Sequence, residues 1–278
     1  MDRFFVDKGD INLEEATCVM TGEDVKHISK VLRAKVGEKV EICDKNNNEY
    51  ICEISEITKT EVFLDILEKS RVNRESNVAV RVYQGLPKAT KMDYILQKLT
   101  EVGASEIILV KNKRSVVKFD DKKEDKKLER FERIIYEASK QSKRGIIPKL
   151  VGVMSFKEAV ADMKRNDLNI CPYENERTVS VGEALKEFGS EMRGCDFEKK
   201  ESSSEKKEGD FEKKESDLET KYVSVGIFVG PEGGFDEEEV EVLSTKGAKV
   251  VSLGPRILRT ETASVVTTAI VQYELGDI

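Results

Sequence analysis

Two glycine–proline turns near the C-terminus constrain the fold more than any other feature of the chain. Between Val223 and Leu275 lie Gly230-Pro231-Glu232-Gly233-Gly234 and Gly254-Pro255. Each follows a short β-rich apolar run and precedes a helical pattern. The order strand, tight loop, helix, strand, loop, helix lines backbone N–H groups and helix N-termini along one sheet edge, where a small ligand can sit. Asp236 stands three residues before Glu239, the spacing of a capping box. Glu237 and Glu238 fall in the first turn, where the helix dipole favours negative charge, and Gly247 supplies a stop. The second loop is less ordinary. Arg256 to Ala263 reads RILRTETA, with two arginines, two threonines and a glutamate among apolar residues. The helix beyond it has Val265, Val266, Ala269, Ile270 and Tyr273 as its expected apolar pattern.

Upstream, two regimes follow one another. Residues 1 to about 70 read as β-rich, with short β-branched runs at Lys39–Cys43, Glu49–Ile54 and Glu61–Leu67 divided by turn residues such as Asn46-Asn47-Asn48. Val25, Ile28 and Leu32 suit one short amphipathic helix. A small barrel carrying one helix is the expected architecture. From about Asn77 strands and helices alternate. Strands are expected at Val78–Tyr83, Ile107–Val110, Leu150–Val153 and Leu168–Cys171, with helices at Met92–Val102, Leu128–Ser142 and Phe156–Met163. Repeated β-α-β predicts an α/β domain with a mostly parallel sheet and helices on both faces. The expected domains are 1–72 and 73–278, joined by a polar linker around Arg71 to Asn77.

A segment at about 190–221 interrupts the second regime. DFEKKES occurs there twice, at Asp196–Ser202 and Asp210–Ser216. Its Glu, Lys, Ser and Asp cannot bury enough apolar surface to offset their ordering entropy, so a charged insertion in a surface loop is expected.

Composition bounds the partners. The 278 residues carry a net charge of −7, so any RNA contact must rest on local basic patches. No apolar run approaches the roughly 18–20 residues of a membrane span. The N-terminus has no hydrophobic signal core, and a cytoplasmic location is expected. The five cysteines are scattered, without C-x-x-C, and His27 is the single histidine. Reduced thiols and no metal are the expectation.

The loop GPEGG alone fits either a structural turn or a ligand loop. It is neither a Walker A loop nor G-x-G-x-x-G. Paired with LGPRILRTETA twenty residues later it is far more specific. The pair FVGPEGGF and LGPRILRTETA resembles the bacterial 16S ribosomal RNA uridine-N3 methyltransferases of the SPOUT superfamily. The likeness extends over most of the chain. HISKVLRAKVGE, His27 to Glu38, resembles that family's PUA-like RNA-binding domain, a small β-barrel. KMDYILQKLTEVG, Lys91 to Gly103, and RFERIIYEASKQSKRGIIPKL, Arg130 to Leu150, resemble two further signatures. The lysine–glutamate insertion departs from the pattern.

The resemblance implies a trefoil-knotted α/β fold, a homodimer, and S-adenosylmethionine as cofactor. It implies 16S rRNA within the small ribosomal subunit as partner, with the buried target base turned out to reach the pocket. The cofactor wall would be Gly230, Pro231, Glu232, Gly233, Gly234, Leu253, Gly254, Ile257, Leu258, Arg259 and Thr260, with Thr260 lending a hydroxyl. Uridine N3 carries a proton, so the site must favour its removal and stabilise the anion left behind. Arg259 is the first candidate for the stabilising cation and Arg144 the second. Glu261 either accepts a proton or serves as a first-turn carboxylate. RNA contacts are expected from Arg3, Lys30, Arg33, Lys88, Lys91, Lys113 and Arg114, and also from Arg144. His27 is either structural or an RNA contact. Two other readings stay open: a related enzyme acting at another RNA position such as a ribose 2′-hydroxyl, and a non-catalytic RNA-binding assembly factor.

Overall fold

The computed structural model describes residues 1–115, 124–201 and 223–275, with 193–201 described in backbone only. The charged insertion therefore lies outside the described residues from 202 to 222. Two compact units are present, and each is described by itself. The first comprises Met1–Glu75 with Leu96–Glu101 and Glu124–Lys149; the second comprises Ser76–Ile95, Val102–Lys123 and Leu150–Ile278.

The first unit is built on a six-stranded sheet. Its strands are β1 (Arg3–Phe5), β2 (Ile11–Asn12), β3 (Thr17–Thr21), β4 (Lys39–Cys43), β5 (Glu49–Ile57) and β6 (Glu61–Lys69), in the order β1-β4-β5-β6-β3-β2. β1 joins β4 in parallel and the other pairs are antiparallel. Strand periodicity sends Val40, Ile42, Cys52, Ile54, Val62 and Leu64 into one core with Phe4, Cys18 and Met20. Irregular register between Ile51 and Cys52 and between Ile54 and Glu56 marks bulges in the long β5–β6 pair, a device that bends a sheet.

The helix expected over Asp24 to Leu32 is present but not regular. α1 (Glu23–Lys26) continues as a π-helical turn, His27–Leu32, which ends at Arg33 with φ 54°. Val25 and Ile28 are buried as expected, but Leu32 is 38% exposed. A π turn carries more residues than an α turn, so Leu32 rotates off the face that an α period would give it. Two further helical pieces belong to this unit: the second half of α2 (Ala89–Glu101) and α3 (Glu124–Gln141). α3 buries Phe131, Ile135 and Ala138. Its Tyr136 ring lies 5.6 Å from Phe5, and its Lys140 ammonium pairs with Asp24 at 2.9 Å.

The second unit holds the parallel sheet. β7 (Val78–Gly85), β8 (Ala104–Lys111), β9 (Lys149–Ser155), β10 (Leu168–Pro172), β11 (Val223–Val229) and β12 (Lys249–Val251) run in the order β12-β10-β11-β7-β8-β9. The registered pairs of this sheet are all parallel. One face carries Tyr83, Ile108, Cys171 and Phe228 against α4 (Phe156–Asp162) and α6 (Glu237–Thr245), through Ala159 and Leu243. The other face meets α7 (Thr260–Glu274), since Gln84, one step from Tyr83, bonds to Thr260. α5 (Val181–Glu201) also packs on α7. Both faces are covered, as parallel strands require.

The capping box predicted at the start of α6 forms, with Asp236 and Glu239 bonding reciprocally. Gly247, at φ 96°, follows that helix as expected. For α7 the expected inner face is corrected. Thr260, Ala263, Ser264, Thr267, Thr268, Val271 and Gln272 are buried, while Tyr273 is 68% exposed and Val265, Val266, Ala269 and Ile270 are half-buried. The polar face can be buried because each hydroxyl bonds inward. Thr267 donates to Ala263 O at 2.7 Å and Thr268 to Ser264 O at 2.9 Å. Gln272 accepts from Ser76 at 2.7 Å and donates to Gly103 O at 3.1 Å.

Candidate active site

The C-terminal edge of the parallel sheet gathers the loops after β7, β8, β11 and β12. In open parallel sheets this edge is where ligands bind. The register places Gln84 beside Val229, so the end of β7 lies next to Gly230. The approach is close. A Cβ on Gly85 would sit 2.6 Å from Pro231 N and 2.7 Å from the Asn112 side-chain oxygen, so no other residue fits there unless the loop moves. Within the loop, Gly234 N donates to Pro231 O at 2.9 Å, and Gly234 adopts φ 69°. That backbone favours glycine.

A buried polar network fastens this loop to the start of α7. Thr260 Oγ1 donates to Gly230 O at 2.6 Å and accepts from Gln84 Nε2 at 3.0 Å. Gln84 Nε2 also donates to Gly85 O at 2.8 Å, and Ser264 Oγ donates to Gln84 Oε1. Gln84 is fully buried. The two glycine–proline segments thus meet through Thr260, and Gln84 joins both to the end of β7. Sequence reasoning gave Gln84 no role. A glutamine inside an otherwise apolar β-run, VAVRVYQG, was the available signal.

A second tie holds the loop after β8. Glu239, 2% exposed, accepts from Asp236 N at 3.0 Å, Lys113 N at 3.0 Å and Asn112 Nδ2 at 3.2 Å. One carboxylate therefore closes the capping box and anchors residues 112–113.

The charged side chains divide into occupied and unoccupied. Arg259 is the N-cap of α7, is exposed, and makes no side-chain cap bond. Glu261, in the first helical turn, forms no N-terminal cap. Its Oε2 is buried without a hydrogen-bond partner and lies 3.2 Å from Lys91 Nζ. That distance is an ion-pair contact whose angles do not make a hydrogen bond. Glu232 Oε1 accepts from Lys88 N at 2.9 Å, while Glu232 Oε2 is buried and unpartnered. Gly254 (φ 105°), Pro255, Arg256 and Ile257, 78% exposed, form an open rim; Leu253 and Leu258 are half-buried. A Cβ on Gly234 would meet the Glu174 carboxylate at 2.8 Å, and one on Gly233 would meet Arg114 Cβ at 3.2 Å.

Several residues expected to act as free cations are occupied. Arg144, in the first unit, is buried, with Nε and Nη2 on both oxygens of Glu75 at 2.7–3.1 Å and Nη1 on Thr100 O at 2.8 Å. Its guanidinium is a structural tie and not a cation open to a reacting base. Arg3 is likewise buried. It donates to Lys143 O and Arg144 O at 2.6 Å and pairs with Glu49 at 2.6 Å and Glu41 at 3.4 Å, so it joins α3's following turn to the first sheet instead of facing RNA. The reason is common to both: a buried guanidinium needs carboxylate and carbonyl partners close by, and folding supplies them. Lys113 and Arg114 pair with Asp236 at 3.4 Å. Lys30, Arg33 and Lys88 are exposed. The ring of His27 meets Phe4 edge-on at 6.1 Å.

No helix among the described residues is long and apolar enough to cross a membrane. A family model described as an RNA methyltransferase domain matches residues 74–272, and one described as an RNA methyltransferase PUA domain matches residues 20–67. Ribosomal RNA small subunit methyltransferase E of Bacillus subtilis is 36% identical over 275 residues, covering 99% of this chain and 97% of its own length. The protein of that name from Buchnera aphidicola of Acyrthosiphon pisum is 27% identical, covering 93% and 88%. A crystal structure of Ribosomal RNA small subunit methyltransferase E from Neisseria gonorrhoeae bound to S-adenosyl methionine superposes with a TM-score of 0.76 at 25% identity, covering 98% of this chain and 97% of that one. By its two matched domains and its near-full-length likeness to these proteins, the chain belongs to the RNA methyltransferase family that carries a PUA domain ahead of the catalytic one.

Proposed function

We propose that the chain is an S-adenosylmethionine-dependent methyltransferase that methylates N3 of a uridine in 16S rRNA of the small ribosomal subunit. The observation that carries this reading is the start of α7. An exposed arginine with no side-chain cap bond, Arg259, and a carboxylate, Glu261, whose buried Oε2 has no hydrogen-bond donor among the described residues, stand two residues apart. Both are next to the segment that Thr260 ties to Gly230.

The residues present suit a cationic cofactor. Glu232, Glu261 and Glu174 bring negative charge to the glycine loop, and one buried oxygen of each of the first two, Oε2, has no hydrogen-bond donor among the described residues. Gly230, Pro231, Gly233, Gly234, Leu253, Gly254, Ile257 and Leu258 offer backbone and apolar contact for its adenosine and methionine parts. Bound S-adenosylmethionine supplies a methyl group already activated by the sulfonium. The protein's work is alignment and handling of the proton. Glu261 Oε2 takes the N3 proton, and Arg259 holds the negative charge left on the uracil carbonyl oxygens. The N3–methyl bond forms as the methyl–sulfur bond breaks, with the electron pair staying on sulfur.

The same reading assigns residues 1–72 to RNA docking and 73–278 to methyl transfer, in a cytoplasmic homodimer with the trefoil-knotted path the resemblance implies. Lys30, Arg33 and Lys88 support the RNA role through exposure and charge. The half-buried Val265, Val266, Ala269 and Ile270 of α7 support a second copy as their cover.

Small subunits from a strain lacking this gene, incubated with the protein and labelled cofactor, test the reading. Mass spectrometry should find the methyl on uridine N3; a methyl on a ribose oxygen, or none at all, would sink it. Arg259→Ala should slow transfer about 100-fold or more while changing cofactor affinity little. Equal losses in both would make Arg259 structural.

A further inference from the structure

Lys91 was expected to touch RNA, yet its ammonium points into the molecule. It lies 3.2 Å from Glu261 Oε2 and 3.8 Å from Glu232 Oε1, with the lysine side chain 29% exposed and the two glutamates 15% and 19%. Those two carboxylates come from the two segments that Thr260 joins. Each presents one buried oxygen without a hydrogen-bond donor. Two carboxylates this close would repel and turn outward without a cation between them. Arg259 is not that cation, since its side chain makes no bond to the helix start and is exposed. Among the described residues, the backbone gives Glu261 no N–H and gives Glu232 one, from Lys88 at 2.9 Å.

We infer that Lys91 is a positioning residue of the reaction site: it holds Glu261 as the proton acceptor and Glu232 as a wall carboxylate, and it is not an RNA phosphate contact. This rests on the role of Glu261 given above. Lys91 is suited to the task by its place in the first turns of α2, where the backbone of Lys88 already binds Glu232. One short segment thus fixes both carboxyl groups, by a backbone N–H and by an ammonium. Among the described residues, the cation in ion-pair contact with Glu261 is Lys91, which also lies 3.8 Å from Glu232; Arg259, two residues before Glu261, is exposed.

Lys91→Met keeps an unbranched side chain one atom shorter and removes its charge; Lys91→Arg keeps the charge. Single-turnover methyl transfer to small subunits, cofactor affinity by calorimetry, and the salt dependence of subunit binding are measured for each. Lys91→Met should slow transfer about 10- to 100-fold, and Lys91→Arg should recover most of that loss. The slope of log affinity against log salt should match the parent. A slope shallower by about 0.7–0.9 would make Lys91 a phosphate contact and overturn the inference, as would an unchanged transfer rate in Lys91→Met.

Glu261→Gln separates this inference from the reading beneath it. If Glu261 accepts the proton and Lys91 acts through it, Lys91→Met should add little to Glu261→Gln. Independent, fully additive losses overturn the positioning role and leave Glu261 in place. A Glu261→Gln protein that transfers at the parent rate overturns the role of Glu261 itself, and the inference with it.

Discussion

Replacing Thr260 by valine separates a wall-building hydroxyl from a ligand-binding one. Thr260 was expected to offer its hydroxyl to the cofactor. In the structure the hydroxyl is spent inside the protein, donating to Gly230 O at 2.6 Å and accepting from Gln84 Nε2 at 3.0 Å. Valine keeps the shape and strands the Gly230 carbonyl and one Gln84 N–H. Each stranded buried group costs about 1–3 kcal/mol. The other Gln84 bond, to Gly85 O at 2.8 Å, survives, so two groups are stranded and the total is about 2–6 kcal/mol. For a chain of this size that lowers Tm by roughly 4–24 °C. Calorimetric unfolding of the cofactor-free protein reads it directly. Gln84→Leu removes the same bond from the other side, so the double variant should lose about 1 kcal/mol less than the sum of the singles. An unchanged Tm in Thr260→Val, together with weakened cofactor binding, would show that the hydroxyl faces the ligand and would refute the argument.

Other outcomes follow from the buried charges and thiols. Arg144→Met leaves the Glu75 charge without its guanidinium, with the backbone N–H groups of Gly145 and Ile146 still on its Oε1, so it should destabilise the protein by about 3 kcal/mol; full stability with methyl transfer lost would return Arg144 to the reacting site. Burial raises the Cys18 and Cys52 thiols to about 12 and Cys43 to about 11. These thiols should resist iodoacetamide at pH 8 until denaturant unfolds the chain, and fast native alkylation would contradict their burial. Unfolded thiols ionise near about 8.5, so the stability they contribute is whole below that pH. It should be lost progressively as pH rises toward 11–12, visible as a falling denaturation midpoint above pH 9.

Much of the secondary structure was legible because it depends on neighbours a few residues apart. Strand β4 coincides with the run Lys39–Cys43, and the Asp236–Glu239 box closes as its spacing predicts. Legibility failed where a side chain's partner lies far along the chain. Arg3 and Arg144 read as surface cations, but their partners are Glu49 and Glu75, and Arg3 also reaches the carbonyls of residues 143–144 across a separation of 140 residues. The buried face of α7 was missed for a related reason. Apolarity predicts burial only if polar side chains have nowhere else to bond, and the hydroxyls of this helix bond to its own carbonyls one turn back.

The sequence by itself determined the two regimes, the glycine loops and the chemistry near them: glycines that let backbones approach, and an arginine and a glutamate that no plain connector requires. Only the tertiary structure decided which of these groups are free. Parallel pairing of β7 with β11 brings Gln84 beside the strand that leads into Gly230, and Thr260 closes the gap to the second loop. Arg259 is left open, while Lys91 is drawn in against Glu261. A charge's availability depends on what lies within a few ångströms of it, and in a parallel sheet those neighbours are set by strand order, which no local pattern contains.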